Sequence, residues 1–113
     1  MKYLLLVCWD SDIELGPAED AALQASLEIW VAENDKRGVR LQGHRLKPSG
    51  EAKTVRVRRG SLSVTDGPFV ETKEEIAGFD ILECTSFEEA VEAASRHPVC
   101  RYGAVEVREY LEG

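Results

Sequence analysis

Few side chains in this 113-residue chain could move a proton or hold a charged ligand, and what each can do depends on the strand face it occupies. His44, inside the strand-like run Leu41-Gln42-Gly43-His44-Arg45-Leu46, is the candidate for proton transfer, because an imidazole titrates near neutrality. Asp66 would be its carboxylate partner, although their separation along the chain does not show that they meet. Arg56 and Arg58 alternate with Val55 and Val57, and Glu106 and Arg108 alternate with Val105 and Val107. If the valines pack beneath helices, the charges point to the opposite face of the sheet. There they could line a cleft for a small anionic or polar ligand, since a guanidinium fork matches a carboxylate. Lys73 and Glu71 add charge near the end of the same hairpin. The competing reading is that these charges pair across strands and only set register.

Structural roles compete for the other conspicuous residues as well. In Asp66-Gly67-Pro68-Phe69, Asp66 can accept a backbone N–H two residues on, Gly67 permits unusual angles, Pro68 fixes its own, and Phe69 would pin the loop to the core. His97 ends a helix just before Pro98, where a cation suits the dipole. Trp30 reads as a core anchor. Cys8 and Cys84 lie in apolar runs where a thiol behaves as a small hydrophobe, and Cys100 falls in the loop after Pro98.

The elements that must position these groups follow from periodicity. Tyr3 to Trp9 is a continuous apolar run of strand length, read as a central strand. Gly16-Pro17 opens a helix with Glu19 and Asp20 in its first turn, Leu23, Leu27, Trp30, Val31 and Asn34 recur at helical spacing, and Gly38 stops it. Val39 to Leu46 is the next strand, broken by Pro48-Ser49-Gly50. Thr54 to Arg58 and Leu62 to Thr65, joined at Arg59-Gly60, alternate as a β-hairpin. Ile76 to Cys84 is an apolar strand, and Ser86-Phe87-Glu88-Glu89 is a capping box opening a helix that packs through Phe87, Ala90, Val91 and Ala94. Gly103 to Tyr110 is the last strand. The order β-α-β, hairpin, β-α-β predicts a ferredoxin-like α+β sandwich with both helices on one sheet face and the other face bare.

Composition narrows the function classes. At 43% hydrophobic the chain fits one domain spanning residues 1–113. With 21 acidic against 14 basic residues the net charge is −7, which opposes attraction to phosphate backbones, so nucleic acid is not an expected direct partner. An odd cysteine count without C-x-x-C fits a reduced compartment. The short N-terminal apolar run implies no membrane span or signal peptide, and a cytoplasmic location is expected. There is no phosphate-binding glycine loop, no G-x-G-x-x-G, no Ser-His-Asp signature and no metal-ligand spacing, so neither cofactor nor metal is expected.

The runs DGPFVETKE, TVRVRRG before it and GAVEVRE near the C-terminus together resemble the YCII-related family of DGPF type, over Met1 to about Tyr110. The resemblance implies the same ferredoxin-like sandwich, paired with a second copy as a dimeric α/β barrel that covers the bare face. It implies one of two functions. The first is binding of a small polar molecule with lyase- or isomerase-like acid–base chemistry. The second is a non-catalytic accessory or regulatory role associated with an extracytoplasmic-function sigma factor. Some relatives carry a His-Asp pair with the His near the start of the first helix; here no His lies between Pro17 and Lys36, which leaves His44 with Asp66 as the substitute.

Overall fold

Alternation of burial along the N-terminal strand sets the architecture: Tyr3, Leu5 and Val7 are buried, while Leu4, Leu6 and Cys8 between them are only half-buried. One face therefore meets the helices and the other lacks a cover. The structure, a computed structural model, describes residues 1–112. Its elements are β1 (Lys2–Asp10), α1 (Pro17–Lys36), β2 (Arg40–Arg45), β3 (Lys53–Arg58), β4 (Ser61–Asp66), β5 (Glu74–Glu83), α2 (Phe87–Ser95) and β6 (Gly103–Glu109). β1, β2, β5 and β6 form an antiparallel sheet in the order β2-β5-β1-β6. This is the expected ferredoxin-like α+β sandwich. Among the described residues β3 and β4 pair only with each other, as a separate hairpin arm.

Local chemistry explains where the helices begin and end. Pro17 occupies the first helical position of α1, Glu19 and Asp20 sit in its first turn, and Leu23, Trp30 and Asn34 are buried. Gly38 follows the helix at φ 70°, a conformation that favours glycine. Ser86 caps α2 by accepting the Glu89 N–H at 3.1 Å, and the Glu89 carboxylate reaches back to Thr85, accepting its hydroxyl at 3.0 Å. The buried face of α2 is Ala90, Ala93 and Ala94; Phe87 and Val91, expected there, are exposed, and Ala93, two positions after Val91, is buried instead.

The core brings Tyr3, Leu5 and Leu82 from the sheet against Trp30 and the α2 alanines. Trp30 anchors it, with its indole N–H donating to the Ala93 carbonyl at 2.9 Å. Val105 and Val107 of β6 pack on this core, so Glu106 and Arg108 project from the other face. The molecule is thin, with extents of 47 × 41 × 18 Å. Among the described residues no helix is long and apolar enough to cross a membrane.

Candidate functional site

A cavity of about 650 Å3 opens between α1 and the β2–β5–β1 side of the sheet. Its walls are largely apolar, with Val7, Leu23, Leu27 and Val31 among them, and it holds four charged or titratable groups at the sheet end: Asp35, Arg40, Asp80 and His97. Each arrives there by strand phase or by a helix stop. Asp80 pairs with Leu5 of β1 and lies in phase with buried Gly78 and Leu82, so its side chain is forced onto the helix-covered face. Pro98 ends the α2 segment and turns His97 inward at the start of the short 3-10 turn Pro98–Arg101.

Asp80 is the centre of the group. Arg40 Nε donates to Asp80 Oδ1 at 2.8 Å, and Arg40 Nη1 lies 3.2 Å from Asp35 Oδ1. His97 Nε2 stands 3.9 Å from the other Asp80 oxygen, Oδ2. The His97 Nδ1 accepts the Val99 backbone N–H at 3.2 Å, which puts the proton of the neutral ring on Nε2, facing Asp80. The ring also packs edge-on against Trp30, with centroids 4.7 Å apart. Gly43 of β2 lies opposite Asp80 in the ladder, and a Cβ there would come within 2.9 Å of Asp80 Cγ and 2.7 Å of Arg40 Nη2. Only glycine leaves room for the carboxylate and the guanidinium together.

Burial sets the titration of both groups. It raises the Asp80 carboxyl above its ordinary value, with the Arg40 hydrogen bond and charge pulling the other way. It pushes His97 down to about 4. His97 is therefore neutral at physiological pH, where a cation at a helix end had been expected from the sequence; the ring is only 4% exposed, and solvation of the charge is lost there. A neutral imidazole N–H and a carboxylate oxygen lie at one end of a mostly apolar cavity. Together they can polarise a carbonyl and take up a proton.

The residues singled out from the sequence lie elsewhere. His44 borders the cavity, but its neighbours Gly43 and Arg45 face α1, so its exposed ring projects to the other sheet face, tilted on Phe79 at 5.8 Å. Asp66 ends the hairpin arm, exposed and ion-paired with Lys53. Among the described residues no hydrogen bond or ion pair joins it to His44. The Asp66 carboxylate accepts from Lys53 and not from the turn's own backbone, and Phe69 is 73% exposed and does not pin the loop to the core. Arg56 and Arg58 lie on the arm's charged face, opposite Val55 and Val57. Glu106 and Arg108 share the uncovered sheet face, 3.8 Å apart and both exposed. Lys73 lies between Asp10 and Asp12, at 3.6 and 3.4 Å. Burial raises the thiols of Cys8, Cys84 and Cys100, Cys84 to about 11, which disfavours thiolate in all three.

Asp80 drew no reading from the sequence, and His97 was read there only as a helix-end cation. The signal was present: a lone acid in the buried phase of an apolar strand, Gly78-Phe79-Asp80-Ile81-Leu82, must find a partner. The guanidinium that neutralises it, Arg40, precedes the glycine that makes room for it.

The model of the YCII-related domain matches residues 1–112. An uncharacterised protein of Rhizobium meliloti strain 1021 is 46% identical over 50 residues, which is 44% of this chain and 40% of that protein's length. Among solved structures, 5-chloro-2-hydroxyhydroquinone dehydrochlorinase from Burkholderia phenoliruptrix AC1100, in complex with 2,5-dihydroxybenzoquinone, aligns with 14% identity and a TM-score of 0.49 over 100% of this chain and 96% of that one.

Proposed function

The chain belongs to the YCII-related family, and we propose that it is a DGPF-type member that binds a small polar carbonyl compound between α1 and the sheet and moves a proton on it. The observation that carries this reading is the pair Asp80 and His97, both buried, 3.9 Å apart, at the sheet end of the cavity. Asp80 Oδ2, which makes no hydrogen bond to Arg40, takes a proton from the carbon beside the carbonyl. His97 Nε2–H donates to the carbonyl oxygen as enolate charge develops there. Return of the proton to a different carbon makes the reaction an isomerisation, and loss of a group from the neighbouring carbon makes it a lyase reaction. Arg40 opposes the burial that raises the Asp80 carboxyl and holds its position.

The same proposal includes a cytoplasmic homodimer. The radius of gyration is 16.0 Å, against about 13 Å for a compact chain of this length. A thin protomer with half-buried Leu4, Leu6, Phe79 and Ile81 on an uncovered sheet face has a physical reason to pair. The alternative, an accessory protein for a sigma factor, finds support in the arm's exposed Val55, Val57, Leu62 and Val64. A buried titratable pair at one end of a cavity favours the enzyme.

The test follows deuterium uptake from solvent into the α-hydrogens of a panel of small ketones by NMR, with Asp80→Asn and His97→Gln beside the wild type. Wild type should exchange them faster than buffer, and both variants, checked for native circular dichroism, should lose at least tenfold in rate. Full activity in Asp80→Asn would sink the proposal. Light scattering at micromolar concentration should give twice the monomer mass.

A further inference from the structure

The ionisable groups around the cavity are unequal in number. Four carboxylates, Asp20, Glu28, Asp35 and Asp80, line it with two guanidiniums, Arg40 and Arg45. Arg40 is committed to Asp35 and Asp80. Arg45 donates to Gln24 at 3.4 Å, and Gln24 sits on α1 between Asp20 and Glu28, one helical turn from each. The cavity thus has an acid stripe along one wall, with its remaining cation held against the middle of that stripe. We propose that the cavity selects a carbonyl compound with an apolar body and no carboxylate, and that Asp20 and Glu28 of α1 exclude carboxylate-bearing analogues.

Three features favour this choice. A carboxylate entering along α1 would face the exposed Asp20 and Glu28, whose repulsion salt screens, and then approach the buried Asp80, where screening by solvent is weaker. A second anion beside Asp80 would also raise its carboxyl further and protonate the group that must act as base. At the deep end Arg40 is already held by Asp35 and Asp80, so the group left for a ligand oxygen is the neutral donor His97 Nε2–H. What remains is a neutral oxygen for His97 Nε2–H on an apolar frame. The proposal rests on the proton-transfer reading of Asp80 and His97, and names what that site accepts.

Phenylacetone and phenylpyruvate share a benzyl ketone skeleton and differ by a methyl group against a carboxylate. Their binding to the full chain is followed by NMR titration of the Val99 amide, which reports on the His97 ring. Phenylacetone should bind at least about tenfold more tightly, and the ratio should shrink as salt is raised. In the Asp20→Asn/Glu28→Gln variant the ratio should fall to within about threefold, through a gain for phenylpyruvate. Both substitutions are on the cavity wall, away from the Asp80–His97 pair. Equal or tighter binding of phenylpyruvate by the wild type, a ratio unchanged in the double variant, or no Val99 shift with phenylacetone would each overturn the proposal. Asp80→Asn separates this from the chemistry: if it keeps the preference but loses no deuterium exchange, the proton-transfer reading fails while the charge selection stands.

Discussion

Gly43 and Asp80 stand directly opposite each other in the β2–β5 ladder, and the Asp80 carboxylate occupies the space where a side chain at 43 would be. A methyl group there also meets Arg40 Nη2 at 2.7 Å. Gly43→Ala should therefore destabilise the fold by about 1–3 kcal/mol and weaken the Arg40–Asp80 pair. Urea denaturation measures the first effect. An unchanged midpoint would mean that the carboxylate has somewhere else to go, and that the site is less tightly defined than its geometry implies.

Arg40 neutralises two carboxylates, one of them buried. Arg40→Gln should cost roughly 3 kcal/mol or more at neutral pH, because it strands Asp80 as an uncompensated buried charge. The loss should be smaller at pH 5. Without Arg40 the Asp80 carboxyl rises further, so stability recovers as pH falls and the group takes up a proton. Denaturation of the variant at both pH values checks the direction.

His97 has a folded value of about 4 against an ordinary 6.5. Between these values the unfolded chain binds more protons than the folded one, so this contribution is complete above pH 6.5 and is lost as pH falls toward 4. Its full size is at most about 3 kcal/mol. Asp80 has the opposite sign: its raised carboxyl contributes most at low pH, and that contribution fades as pH rises through the folded value. Asp80→Asn removes the opposing part. The variant should gain stability with pH more steeply than wild type from pH 4 to 6.5, and a flat profile would show that the imidazole is solvated.

Asp66→Ala should change stability by less than about 1 kcal/mol. The carboxylate is exposed and its partner is a surface lysine, Lys53. The turn is held instead by backbone: the Gly67 N–H donates to the Ala52 carbonyl at 2.7 Å, and the Thr54 hydroxyl donates to the Gly67 carbonyl at 2.8 Å. Thr54→Val should accordingly cost more than Asp66→Ala in thermal denaturation.

The fold was legible because its determinants are local and periodic. Alternation placed Val105 and Val107 beneath the helices and sent Glu106 and Arg108 away, and Pro17, Gly38 and Ser86 marked helix ends where the helices do begin and stop. The site was not, because it is assembled from residues that only the sheet order brings together. β2 and β5 are neighbours across an intervening hairpin, so Arg40 and Asp80 meet through topology and not through spacing. His44 drew attention as a strand histidine, yet a one-residue phase difference from Gly43 sends its ring to the face away from Asp80. His97 looked like a helix-end cation because burial of its ring depends on Trp30, a residue of the other helix.

Among the described residues the β3–β4 arm shares no strand ladder with the main sheet. An isolated two-stranded hairpin is marginal in water, so its cross-strand amides can open without disturbing the Tyr3–Leu5–Leu82 core. Hydrogen exchange at Val55 and Val64 then reads a local equilibrium, separate from global unfolding. A partner that lies on their exposed side chains would slow that exchange while leaving the core amides as they were, which makes the arm a built-in reporter of assembly.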